Sequence, residues 1–383
     1  MTGFFVAWTS ARGLALSRMV VGFAALLRAI VTYRILSGVL APGQARVRYV
    51  QWLPEPSGGW TTALVVVWAL AAVGFAVGWR TRVTGTVLAS LMAFTLTLDQ
   101  QTYSNHLYLL TLVTILLVVA NAGAALSVDA RRNQEHEVPA WPIALLRFQA
   151  SVVYGFAALA KVNLVYLSGA VLLVYLPTDG LFTLPEALKT AGLLAPVAIL
   201  SVVAEAFIAL MIWWPRWRHQ AFTLAMMLHV GMVLFIDPSG RLEIAIFALV
   251  MFSLLLQFLP AGRGGRTVVW DGHCSFCGTW VRWFQRFDWL GIHSFVQSQD
   301  LDSMDPEAQL GLDDLRADAD RALQLIDGGH RSQAFAAVRA VLEHLPISFL
   351  WAPVFRLWPL SALGERAYAA VAARRRCSLH RPP

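Results

Sequence analysis

The sequence predicts an all-α multi-pass membrane helix bundle of about eight spans followed by a small α/β domain, and three observations carry that expectation. Only 14% of the 383 residues are charged and 57% belong to the hydrophobic set, whereas an average soluble domain holds roughly 25% charged residues. Charge is also unevenly placed: residues 1–260 hold 16 Lys/Arg and 10 Asp/Glu, and the shorter stretch 261–383 holds 14 and 13. Apolar runs approaching the ~20 residues needed to cross about 30 Å of hydrocarbon fall in the first stretch. An ordinary soluble enzyme is a poor fit.

The first run, Leu14 to Leu40, contains Arg18, Arg28 and Arg34 and lacks a small-residue cleavage site. It reads as an uncleaved first span rather than a signal peptide. Thr61 to Gly78, Val83 to Gln101, His106 to Leu126, Trp141 to Lys161, Gly192 to Trp214, Gln220 to Phe235 and Leu242 to Leu259 complete the eight. A net charge of +7 would suggest nucleic acid in a soluble protein. Here the basic residues sit at the ends of apolar runs, and no nucleic-acid motif accompanies them; the expected partner is the lipid bilayer. Arg12, Arg80, Arg82, Arg131, Arg132, Arg216, Arg218, Arg263 and Arg266 all fall on one side of the predicted bundle. By the positive-inside rule that side is cytoplasmic, which places both termini there, in a bacterial-type cytoplasmic membrane. Opposite lie the Gln51 to Pro56 loop, the Asp99 to His106 corner, the stretch Val162 to Ala191 and the turn Asp237 to Gly240.

The division expected is a membrane domain over residues 1–260, a linker over 261–266 rich in glycine and arginine, and a soluble domain over 267–383. In the last, Thr267 to Trp270 is a short buried-type strand, Asp271-Gly272-His273 turns into a helix from Cys274 to Phe287, and Ile292 to Val296 is a second strand. Arg321 to Ile326 reads as a third strand, closed by the turn Asp327-Gly328-Gly329. Helical patterns fill Gln333 to His344 and most of the tail to Arg376. A β-α-β opening followed by strand and helices is α/β.

Three cysteines are too few for a secreted disulfide scaffold. Two are spaced as Cys274-Ser275-Phe276-Cys277, directly after a strand and at a helix start. The exposed amides and the positive end of the helix dipole favour a thiolate there. Cys274 would attack a disulfide, and Cys277, one turn on, would resolve the mixed disulfide. His273 reads as a modulator of Cys274. The competing readings are a zinc site completed by Cys377 and His380, and a pair of buried structural thiols. The segment resembles the DCC-type thiol-disulfide oxidoreductase family, named for Asp-x-x-Cys-x-x-Cys, here Asp271, Cys274 and Cys277. The likeness continues through Arg282 to Asp288, Leu325 to Gly329 and Ala372 to Arg376. It implies a thioredoxin-like fold, a redox-active disulfide and a thiol partner.

In the membrane part, polar groups inside apolar helices are costly and usually functional. Four stand near the non-cytoplasmic ends of their helices: Asp99, His106, Lys161 and His229. Of 30 basic side chains only Lys161 and Lys189 are lysine, so a lysine here has chemical meaning: a desolvated amine can become a base and an arginine cannot. Each has a plainer alternative. Lys161 can snorkel to the interface, His106 can cap a helix, His229 can be a hydrogen-bonded core residue, and Asp99 can cap a helix or pair with Lys161.

Taken in order, Asp99, Asn105-His106-Leu107-Tyr108, Tyr154, Ala158 to Asn163 around Lys161, Ser168-Gly169, His229 and Phe235 to Asp237 resemble the horizontally transferred transmembrane domain family, which includes the vitamin K-dependent gamma-carboxylase. The likeness spans roughly residues 14–260. In that carboxylase a lysine deprotonates a quinol, oxygen adds, a strong base forms, and a glutamate carbanion takes up carbon dioxide. The resemblance implies Lys161 as the base, His106 and His229 in the active-site region, Asp99, Asn105, Tyr154 and Asn163 in support, and a reduced quinone of vitamin K or menaquinone type with oxygen as cofactors. Ala160-Lys161-Val162-Asn163 departs from the paired lysines and aspartate of the animal enzyme, and a thiol-redox domain replaces its large lumenal region. Three functions follow as expectations: a quinol-oxidising membrane enzyme acting on a peptide or small substrate, a quinone-linked thiol-disulfide oxidoreductase, and a non-catalytic membrane protein with a redox-sensing domain.

Overall fold

The computed structural model describes residues 7–41, 43–52, 58–133, 137–175, 192–235, 240–262, 265–303 and 312–374. It divides into two units between Leu259 and Pro260. In the first, strand β1 (Trp8–Ser10) precedes α1 (Arg12–Val39), α2 (Gly58–Val77), α3 (Thr81–Leu98), α4 (Asn105–Val119) and the short α5 (Val128–Asn133). Strand β2 (Glu137–Pro139) pairs antiparallel with β1. Then come α6 (Trp141–Lys161), the short helices α7 (Leu164–Leu167) and α8 (Ala170–Tyr175), α9 (Leu194–Met211), α10 (Arg218–Phe235) and α11 (Arg241–Leu255). Each of the eight apolar runs forms a helix, because a continuous apolar segment with all its backbone bonds inside one element is what hydrocarbon tolerates.

The span count is smaller than expected. Among the described residues, six helices are long and apolar enough to cross a membrane: α1, α2, α3, α6, α9 and the stretch Arg241–Phe258 that includes α11. Helix α4 is apolar but has 15 residues. Helix α10 opens on Arg218, His219 and Gln220 and carries His229, which lowers its hydropathy. Asp237, Lys189 and the Pro54 to Pro56 part of the first loop lie outside the described residues.

Helix α1 packs against α2, α4 and α11, and its buried Arg18 shows how a charge is accommodated there. The guanidinium donates to the carbonyls of Ala122 at 2.9 Å and Leu126 at 2.8 Å. Those carbonyls belong to the segment between α4 and α5, so the side chain satisfies buried loop acceptors that lie outside any helix. Gly78, at φ +74°, passes so close to Ser127 and Arg18 that a side chain would collide with both. From α1, Ser17 Oγ donates to the Ser253 carbonyl at 2.6 Å.

The second unit contains β3 (Arg266–Trp270), α12 (Ser275–Phe287), β4 (His293–Gln297), α13 (Leu312–Arg321), β5 (Gln324–Asp327), β6 (His330–Gln333), α14 (Ala334–Leu342) and α15 (Leu360–Arg374). The sheet order is β4-β3-β5-β6. Strands β3 and β4 are parallel, while β3 with β5 and β5 with β6 are antiparallel. This β-α-β unit joined to a β-hairpin and helix is the thioredoxin-like arrangement. Alternation along β3 sends Val268 into a core with Val281, Phe284, Leu325 and Val341, and Val269 into a core with Leu301, Leu315 and Ala319, as the two faces of a strand require.

Two differences from expectation occur here. The third strand starts at Gln324, since Arg321 ends the charged helix α13. Strand β6 was not foreseen: His330-Arg331-Ser332-Gln333 lacks apolar alternation because it is an edge strand with mostly exposed residues. Its pairing is set by Gly328 and Gly329, at φ +53° and +87°, the geometry of a two-residue hairpin turn.

Asp288, just after α12, accepts from the backbone N–H groups of Ile292 at 3.0 Å and His293 at 2.9 Å, and lies 3.4 Å from the His293 ring. Burial alone would raise its carboxyl, but bonds from the His293 side chain and these amides hold it below the usual carboxylate range. A depressed folded value means the stabilisation is present above the unfolded pKa of about 3.9 and is lost as pH falls through the folded value. Asp288→Asn is therefore expected to remove about 2 kcal/mol at neutral pH and to flatten the acid dependence. Hydrogen exchange at β4 amides, corrected for intrinsic rates, reads both effects; wild-type protection retained in the variant would contradict the assignment.

Candidate functional site

Lys161 is the last residue of α6. The backbone leaves the helix at Val162, and Asn163 caps α7, accepting from the Tyr166 N–H at 2.9 Å and donating to the Ala160 carbonyl at 3.0 Å. This turn holds the end of α6 that carries Lys161, whose Nζ donates to Glu205 Oε1 at 2.5 Å. The ammonium also sits 5.4 Å from the centre of the Tyr166 ring. Glu205, on α9, has only 5% of its side chain exposed, against 27% for Lys161.

About two turns back on the same face of α6, Tyr154 is 3% exposed and its hydroxyl is 2.7 Å from His229 Nε2 of α10. Tyr154 and Lys161 share one face of α6, and α9 packs against both α6 and α10, so the two polar pairs are neighbours along α6 in an apolar bundle. Phe247 of α11 joins them to His106, its ring centre lying 5.5 Å from His229 and 4.8 Å from His106. His106 Nδ1 is 3.7 Å from Glu243 Oε2, which also lies 3.3 Å from Nη1 of the buried Arg28.

The structure thus brings together Lys161, Tyr154, His229 and His106, and adds Glu205, Glu243 and Arg28. Glu205 and Glu243 were missed by sequence reasoning, although the same signal was available: an acid inside an apolar run is as costly as a histidine or lysine. Asp99 stands apart as a cap. Its carboxylate accepts from the N–H groups of Gln101 at 2.9 Å and Val47 at 3.0 Å, closing a capping box with Thr102. Asn105 is exposed at the start of α4.

The second site is built by β3 and α12. Asp271 is buried at the end of β3, and its Oδ1 accepts from the His273 N–H at 2.9 Å and from Gln299 Nε2 at 3.4 Å. The Gly272 N–H donates to Gln299 Oε1 at 3.0 Å. The turn delivers Cys274 to the N-cap of α12, where its carbonyl accepts from Gly278 at 2.9 Å. Cys274 is buried and disulfide-bonded; Cys277 follows one turn on and is half-buried. It borders an apolar groove of about 350 Å³ lined by Phe276, Trp280, Phe284, Phe335 and Tyr368 among others. His273 is exposed. Cys377 and His380, which the zinc reading needs, lie outside the described residues.

A Cβ on Gly272 would press into the side-chain oxygens of both Gln297 and Gln299. Displacing Gln299 breaks its bonds to the turn, so Gly272→Ala is expected to cost about 1–2 kcal/mol and to loosen the loop before Cys274. Thermal unfolding together with the rate of Cys277 alkylation tests this; unchanged values in both would refute it.

Residues 8–261 match the HTTM domain family and residues 268–381 match the DCC1-like thiol-disulfide oxidoreductase family. No solved structure matches the chain. With six apolar helices of membrane-spanning length in the first region and the strand, turn and Cys-x-x-Cys helix start in the second, the chain is an integral membrane protein that belongs to the HTTM domain family and carries a DCC1-like thiol-disulfide oxidoreductase domain.

Proposed function

We propose that this protein is a membrane enzyme of gamma-carboxylase type, which oxidises a reduced quinone at the Lys161 site to drive modification of a peptide or small substrate. The observation that carries this reading is the gathering of Lys161, Glu205, Tyr154, His229 and His106 from four helices, α4, α6, α9 and α10, within the apolar bundle. Two buried atoms in it, Glu205 Oε2 and His229 Nδ1, have no hydrogen-bond partner among the described residues. Unsatisfied buried polar atoms are rare and point to a ligand or a catalytic role, and their chemistry fits a flat molecule bearing two hydroxyl or carbonyl oxygens.

When bound, the quinol supplies the reducing equivalents and its reaction with oxygen supplies the driving force. The hydrogen-bonded Lys161–Glu205 pair takes up the hydroxyl proton as the general base. His229 is held by Tyr154 in one orientation and offers Nδ1 to the second oxygen, while His106 and Phe247 bound the ring. Apolar walls exclude water that would quench a reactive base. In the carboxyl-terminal domain, Cys274 and Cys277 exchange with the disulfide or dithiol of a partner after reduction. Both termini lie on the cytoplasmic face of a bacterial-type cytoplasmic membrane, following the arginine distribution.

The test uses purified protein in lipid discs with a reduced naphthoquinone and oxygen. Oxidised quinone and quinone epoxide should form faster than in protein-free discs. No enzyme-dependent product, but thiol-dependent quinone reduction, would replace this function with a quinone-linked thiol oxidoreductase. A membrane-impermeant thiol reagent that labels Cys277 in intact cells would overturn the orientation.

A further inference from the structure

Lys161 Nζ lies 2.5 Å from Glu205 Oε1. In a low-dielectric interior an ammonium beside a carboxylate is a neutral pair, whereas a neutral amine beside a carboxylate leaves a lone buried charge that is strongly disfavoured. Of the two net-neutral forms, ammonium with carboxylate and amine with carboxylic acid, the partial exposure of the Lys161 side chain, 27%, favours the ionic one, and an ammonium has no lone pair with which to take a proton. The second oxygen, Oε2, is buried without a hydrogen-bond partner among the described residues. We propose that Glu205 is the net acceptor of the quinol proton, reached through Lys161, and that Lys161 remains cationic to stabilise the anion formed. This rests on the quinol reading of the site.

The step balances without electron transfer. One Lys161 N–H bond breaks as its proton passes to Glu205, a new N–H bond forms with the proton of the quinol hydroxyl, and the O–H electron pair stays on the ring oxygen. Lys161 is an ammonium before and after, and Glu205 ends as a carboxylic acid. Negative charge thus develops beside a fixed cation, as preorganised electrostatic stabilisation requires.

The titratable groups that face the pair come from several elements. Tyr154 comes from the same face of α6 as Lys161, and its hydrogen-bonded partner His229 from α10, which packs on α9. Tyr166 of α7 lies under the ammonium and donates or accepts with Ser201 at 2.9 Å. Helix α8 also packs on α9, and its Tyr175 is exposed. Arg218, at the start of α10, is engaged at the opposite end of α9 by the carbonyls of Ile212 and Trp213. Helices α4 and α11, which also pack on α6, carry His106 and Glu243; the Glu243 carboxylate is engaged by His106 at 3.7 Å and Arg28 at 3.3 Å, which leaves Glu205 as the carboxylate in hydrogen-bond contact with Lys161.

The experiment uses the full chain in lipid discs. Without oxygen, a reduced naphthoquinone is added and infrared difference spectra are read for a protonated carboxyl C=O band, while ultraviolet absorbance follows the quinol anion. The wild type should gain both signals, Glu205→Gln should lose the carboxyl band, and Glu205→Asp should restore a shifted one. With oxygen, Glu205→Gln should lose about 100-fold in turnover at neutral pH, and the acid limb of its pH profile should move to higher pH because Lys161 must then shed its own proton. A mere counterion predicts the opposite: without Glu205 the amine is easier to neutralise, so an acid limb moving to lower pH with the quinol anion still formed overturns the proposal. Absence of the quinol anion in wild type overturns the function on which it rests.

Discussion

Lys161→Ala is expected to lower quinol turnover by about 10²- to 10⁴-fold, the usual contribution of a positioned acid-base group. The loss has two parts: the proton path to Glu205 is cut, and the cation beside the developing anion disappears. The same change leaves Glu205, 5% exposed, without its partner, and removing one member of a buried pair costs about 3–5 kcal/mol. Because Lys161 is itself 27% exposed, the lower end applies. A folding defect could mimic a catalytic one, so the pair Lys161→Met with Glu205→Gln is the companion variant. It removes both charges and should unfold near the wild-type temperature while remaining inactive. Turnover retained in Lys161→Ala would remove the lysine from the reaction.

For the thiol site, Cys274→Ser should reduce disulfide exchange to background, since a serine hydroxyl is not ionised near neutral pH and does not attack sulfur. Cys277→Ser should behave differently. Its first attack is intact but the mixed disulfide on Cys274 cannot be resolved, so a covalent adduct with a disulfide probe should accumulate and be seen by mass spectrometry of the reduced, full-length protein. The position of Cys274 at the N-cap, fixed by Asp271 and the Gln299 bonds to the turn, is the reason for this order. An adduct trapped on Cys277 in the Cys274→Ser protein would reverse it.

The membrane helices were legible because hydrocarbon imposes a length and a composition on each span, and both are local properties of the chain. The same holds for β3, the turn at Asp271 to His273 and α12, where a four-residue apolar strand, a tight turn and an amphipathic helix each announce themselves. Strand β6 was not legible. An edge strand buries no alternating face, and its pairing is a property of β5 and the Gly328-Gly329 turn. Arg18 illustrates a related limit. Along the sequence it was only a charge inside the first apolar run, yet it serves the carbonyls beyond α4, more than 100 residues away.

Within the site, lysine and histidine at Lys161, His106 and His229 could be singled out from composition alone, since such groups are rare in hydrocarbon. Which of them act together could not. Asp99 carried the same sequence signal and is a cap, because the amides of Val47 and Gln101 reach it first. Glu205 lies 44 positions from Lys161 and Glu243 lies 137 from His106, and nothing periodic links such residues along the chain. The sequence by itself determined a membrane part, a small α/β part and the polar side chains available to each, because hydropathy and helix or strand periodicity act over one or two turns; the thioredoxin-like arrangement of that second part followed from its family resemblance. The pairing of Lys161 with Glu205, and of His229 with Tyr154, was decided by the packing of α6 against α9 and of α10 beside them. In an apolar interior a charge must find a partner, and only the tertiary contacts say which one is in reach.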